Sequence, residues 1–151
     1  MTSSALVRVG AMDWNLPHWR GRFYPEDLPD DWLLSYYNTQ FETVYLPAAV
    51  WQAVSDAAWA QWLYDTQDGF CFVLEPGDGA AVAPVSPRVL LATPAWSAAH
   101  VWWLYAAPDL RVLAQRISQQ ATTGEPLFVF SRSGDLALLE RVNSLKQVMG
   151  Y

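Results

Sequence analysis

Short apolar runs recur along this chain. Each is cut by Gly, Pro or Asp, and between them lie stretches where apolar residues repeat at helical spacing. Val7 to Gly10 reads as a first strand, with Gly10 letting the chain turn. Ala11 to Pro29 is a loop too long to be idle in a compact domain. Its aromatics, among them Trp14, Trp19, Phe23 and Tyr24, predict a lid folded onto one end of a sheet. Asp30 is a good N-cap, with Asp31 in the first turn. Leu33, Tyr36 and Tyr37 then share one helix face. Phe41 to Leu46 is a second strand and Pro47 to Val54 a connection.

Ser55 caps a second helix reaching Thr66, with Ala58 and Trp62 on its core face. Phe70 to Leu74 is apolar throughout, as buried parallel strands are. A Gly/Ala/Pro-rich link runs from Glu75 to Pro87, and Val89 to Ala92 is a fourth strand. Thr93 to Ala107 is aromatic and fits neither period. Pro108-Asp109 opens a third helix with Leu110, Leu113, Ala114 and Ile117 at helical spacing. Leu127 to Phe130 is a fifth strand, and Asp135 to Val148 a last helix. Strands alternating with helices predict an α/β domain with a mainly parallel sheet, one domain over 1–151.

Composition narrows the function. The chain is 52% hydrophobic and 16% charged, which excludes disorder. Its net charge of −6 and nine scattered basic residues argue against nucleic-acid binding, which needs a basic stripe. The single cysteine, Cys71, lies in an apolar run and reads as a buried hydrophobe. No apolar run reaches membrane-spanning length, and the first residues lack a signal-peptide pattern, so a cytoplasmic location is expected. Two His and one Cys, far apart, make no metal site, and no cofactor is expected.

Gly10, Trp14, His18-Trp19, Gly21, Phe23-Tyr24-Pro25, Leu28, Tyr36-Tyr37, Phe41 and Thr43-Val44 resemble the opening of the YecE-like family, domain of unknown function 72. That family opens with a strand ending G-T-S-G-W, a W-x-G-x-F-Y-P loop, a helix, and a strand ending V-E-x-N. A weaker likeness returns at Leu127 to Arg132 and at Asn143-Ser144. The resemblance implies a TIM-barrel-like fold with no settled activity. A full barrel needs about 250 residues. The chain therefore reads as a truncated barrel that lacks the middle strands, with about five strands in spatial order 4-5-1-2-3 and helices outside.

Barrel sites lie at strand C-terminal ends. Carried over residue by residue, the family's T-S-G becomes Ala11-Met12-Asp13, and the Glu and Asn of V-E-x-N become Tyr45 and Pro47. The T-F-Y-R that follows becomes Ala49-Val50-Trp51-Gln52. The Lys ending the third strand becomes Glu75, and the late Asn pair becomes Ser131-Arg132. The resemblance thus implies a pocket of Trp14, His18, Trp19, Tyr45, Trp51, Ser131 and Arg132 with most of the family's polar groups replaced. The leading reading is a non-catalytic remnant that binds a small molecule or assembles. The alternative is a small-substrate hydrolase using Asp13, His18 and Glu75, a carboxylate pair with a general base. Each has a plainer reading, as rim carboxylates and a loop-packing His.

A cut barrel exposes its inner face and two edges. Either the Trp-rich segment from Ala95 to Ala107 folds over the opening, or two chains cover each other. Nine Trp are more than one small core needs, which favours a homodimer with Trp96, Trp102 and Trp103 at or beside the contact.

Overall fold

The computed structural model of the chain describes residues 5–78, 82–105 and 107–151. It is a mixed α/β fold of parallel strands and helices. β1 (Val7–Ala11) leads through 3₁₀ turns at Pro17–Trp19 and Asp30–Trp32 into α1 (Leu33–Asn38) and β2 (Thr43–Leu46). α2 (Ala48–Trp51) and α3 (Asp56–Asp65) precede β3 (Cys71–Leu74) and β4 (Val89–Leu91). α4 (Pro94–His100), β5 (Val101–Leu104), α5 (Leu110–Thr123), β6 (Leu127–Ser131) and α6 (Leu136–Met149) complete the chain. Side chains start the helices as sequence dictates. Ser55 Oγ accepts the Ala58 N–H at 3.1 Å, Asp109 Oδ1 that of Arg111 at 3.0 Å and Asp135 Oδ1 that of Leu138 at 3.2 Å. Asp30 is the exception: Pro29 takes the cap position without a side-chain bond, and the Asp30 carboxylate pairs with Arg20.

The strands form two parallel groups, β5-β6-β1 and β2-β3-β4, with β2 lying beside β1. β1 and β6 are neighbours, in register from Val7 opposite Leu127 to Ala11 opposite Ser131. The expected order is corrected at the fourth strand. β4 pairs with β3 rather than with β6, and β5 takes the place beside β6. The stretch that fits neither period is therefore half strand: Val101-Trp102-Trp103-Leu104 is β-branched and aromatic and suits a pleated surface. Among the described residues β4 and β5 are unpaired with each other, so no barrel closes.

Strand alternation sorts side chains onto two faces. Val7, Val9, Val44, Leu46, Phe72, Leu74, Leu127 and Val129 join α1, α3, α5 and α6 in the main core. Tyr45, Val73, Phe128 and Phe130 form a smaller cluster on the other, inner face. The chain passes from β4 to β5, opposite edges of the sheet, through α4. Trp96 of α4 rests on Phe128, ring centroids 5.4 Å apart, so the helix crosses the inner face and covers part of it. From α5, Arg116 and Gln120 donate to the carbonyls of Ala98 and Ala99 at the end of α4.

The β1–β2 seam is not an ordinary ladder. Gly10 lies inside β1, and a Cβ there would collide with the Thr43 carbonyl and the Tyr37 hydroxyl. Its role is close approach of backbones, not a turn. The Tyr37 hydroxyl fills the gap. It accepts the Ala11 N–H at 2.8 Å and donates to the Thr43 carbonyl at 2.6 Å. Among the described residues the backbone pairs directly only at the top, with Asp13 N–H on the Tyr45 carbonyl at 2.9 Å.

Candidate functional site

The C-terminal ends of β2, β3, β5 and β6 frame a mouth on the inner face. Tyr45 lies 4.8 Å from Trp103 and 5.5 Å from Phe130, centroid to centroid, making an aromatic floor. Arg132, just past β6, lays its guanidinium over Trp103 at 4.3 Å from the ring centre, a cation–π contact. Glu75, just past β3, supplies the opposite charge. Burial raises the Tyr45 phenol above its ordinary pKa, and the Glu75 charge raises it further while Arg132 opposes. The phenol is thus neutral at physiological pH, able to donate and accept. A guanidinium offers its planar fork to a carboxylate or similar acceptor.

The polar residues of the hydrolase reading are engaged otherwise. Asp13 sits at φ 68°, and its Oδ1 accepts the N–H groups of Trp14 at 2.7 Å and Asn15 at 3.2 Å. It turns its own loop, a conformation that Asp and Asn tolerate better than other side-chain-bearing residues. Glu75 Oε1 accepts the Ala48 N–H at 3.0 Å, at the start of α2. His18 is exposed, and its Nε2 lies 3.4 Å from the Gly134 carbonyl, which also accepts the Trp19 indole N–H at 2.8 Å. Among the described residues no hydrogen bond joins Asp13, His18 and Glu75, and no three His, Cys, Asp or Glu gather as a metal site.

The pocket residues read from sequence divide into separate places. Tyr45 and Arg132 meet at the mouth. Trp51 is buried in the helix-side core instead, donating its indole N–H to the Glu75 carbonyl at 2.8 Å. Ser131 points to the other face, where its Oγ accepts the Gly134 N–H at 3.1 Å. Trp19 is fully buried in the helix-side core, stacked on Tyr37 and Phe41. Trp14 lies against Trp62 of α3. Trp103 was missed as a site residue, although alternation along Val101–Leu104 would have put it on the inner face with Val101.

Residues 8–76 match the family described as protein of unknown function DUF72. Over that stretch, a little under half of the chain, the sequence is similar to that family. No curated protein and no solved structure matches the chain significantly. The matched segment spans β1 to β3 and so contributes Tyr45 and Glu75 to the mouth, whereas Trp103 and Arg132 come from beyond it. No helix among the described residues is long and apolar enough to cross a membrane.

Proposed function

We propose that this DUF72-like protein is a non-catalytic binding protein that holds a small, flat, acceptor-bearing molecule at the mouth. One observation carries the reading: Arg132 stacked on Trp103 beside the Tyr45 phenol. That pair presents an apolar floor and a charged donor together, the usual make-up of a ligand site. The carboxylates and His of the hydrolase reading support backbone instead. A thermal-shift screen of flat carboxylate-bearing metabolites tests it. Ligands that stabilise the wild type and fail to stabilise Arg132→Ala are the expected result. Turnover of an ester, amide or glycoside that vanishes in Asp13→Ala or Glu75→Ala would replace this reading with the enzymatic one.

The same reading includes assembly as a homodimer. β4 and β5 end the sheet with unpaired outer edges, and Leu91 and Tyr105 beside them are 48% and 76% exposed. Trp96 packs on Phe128, and Trp103 on Tyr45 and Phe130, inside the chain, so Tyr105 is the exposed aromatic beside this edge. Sedimentation over a wide dilution series decides: a mass near 17.0 kDa throughout would end the dimer.

A further inference from the structure

A groove of about 770 Å³ lies on the helix side of the fold, between the Asp30–Tyr36 segment and α3, away from the mouth. Trp14 and Trp62 form one corner of it, their rings at 86° with centroids 4.6 Å apart. Asp31 and Asp65 line it, and Asp30 does too, but Arg20 pairs with Asp30. No Lys or Arg is among the lining residues. Trp14 is only 7% exposed; among the described residues no hydrogen bond engages its indole N–H and no fully buried side-chain nitrogen or oxygen lacks a partner, so that N–H reaches solvent.

Indole faces carry negative charge density and attract cations. Trp32, 63% exposed, and the half-buried Trp62 line the groove, so indole surface is within reach of a compact cation. Asp31 has no ion-pair partner among the described residues, and Asp65 accepts only the neutral Gln61 amide, at 2.7 Å. Neither carboxylate is therefore matched by a cationic side chain among the described residues. The Trp14 N–H adds a donor for an oxygen on the same ligand. We infer that this groove binds a small organic cation, an alkylammonium that also carries a hydroxyl or carbonyl oxygen. It is a second site, independent of the mouth and opposite to it in charge preference.

The test titrates the full chain with choline and, separately, with its neutral isostere 3,3-dimethylbutanol, reading tryptophan fluorescence and heat. Saturable choline binding that weakens with salt is expected, with little or none for the isostere. Asp31→Asn and Asp65→Asn, both surface changes that leave the circular dichroism unaltered, should each weaken it about fivefold. Arg132→Ala should leave it unchanged. The inference is overturned if the isostere binds as well as choline, if the Asn variants bind undiminished, or if choline fails to bind. Preferential binding of an uncharged sugar would overturn it too, because the carboxylates would then serve as hydrogen-bond acceptors rather than as a charge match.

Discussion

Lys146, near the end of α6, reaches Glu42, just before β2, across the bottom of the β1–β2 seam. Its Nζ also donates to the Val7 carbonyl at 2.9 Å, while Glu42 Oε2 accepts the Val9 N–H at 3.2 Å. One ion pair therefore satisfies backbone groups on β1 that a regular ladder would have paired, and it fixes the last helix to the first strand.

Removing one partner leaves the other charge in a poorly hydrated place. The Lys146 and Glu42 side chains are 10% and 35% exposed, so water screens the carboxylate in part. Lys146→Met should cost roughly 2 kcal/mol, below the full penalty for a buried charge. Adding Glu42→Gln to that variant should recover part of the loss. Urea midpoints of the single and double variants read both effects. If the double variant is less stable than the sum of its parts, the pair is not the reason for the cost.

Tyr37→Phe removes a single oxygen and orphans two backbone groups, the Ala11 N–H and the Thr43 carbonyl. Tyr37 is fully buried, so water does not replace the hydroxyl without opening the seam. A cost of about 2 to 4 kcal/mol is expected. Amide hydrogen exchange at Ala11 should speed up more than exchange at Val129, which lies on the β6 side of the sheet. Equal acceleration at both positions would mean a global loss of stability with no local seam.

Gly10→Ala should be worse tolerated than a cavity in the core. The added Cβ meets the Thr43 carbonyl, which is backbone and belongs to a strand held by β3. The seam would have to widen, breaking the Tyr37 bridge as well. We expect a loss of more than about 3 kcal/mol and little folded protein on expression. Gly124→Ala is the control. It sits at φ 72° after α5 with open space where a Cβ would be added, so its cost should be limited to backbone strain of about 1 kcal/mol.

The sequence was readable where one period dominates. Leu113 and Ile117 on α5, and Leu138 and Val142 on α6, are buried as their spacing requires. The adjacency of β1 and β6 followed from the barrel resemblance. β4 was misplaced because pairing partners are a tertiary choice that an apolar three-residue strand does not encode. On α3 the deepest aromatic is Trp59, at 3% exposure, rather than Trp62, although both rings pack against Phe72. The seam was invisible for another reason. Glu42, Lys146 and Tyr37 look like ordinary surface or helix-face residues until β1 and β2 splay apart. Asp13 and Glu75 looked like acids for chemistry, while backbone N–H groups were their partners.

Alkali should unfold this protein more readily than its charge alone suggests. Burial holds the Tyr37 phenol well above its ordinary value of 10.0, and Tyr24 and Tyr45 are raised for the same main reason. Burial also raises the Cys71 thiol above 9.0, against the opposing charge of Arg8. In each case the folded state keeps a proton that the unfolded chain releases. Their stabilisation is complete below the unfolded values and is lost as pH climbs from those values through the folded ones. Urea midpoints should therefore be flat around neutrality and fall between about pH 9 and pH 11. Cys71→Ser should ease the onset of that fall, and Tyr37→Phe should make its later part shallower although the variant is weaker at neutral pH. A midpoint that holds or rises through the same interval would mean these groups ionise as freely in the folded protein as in the unfolded chain.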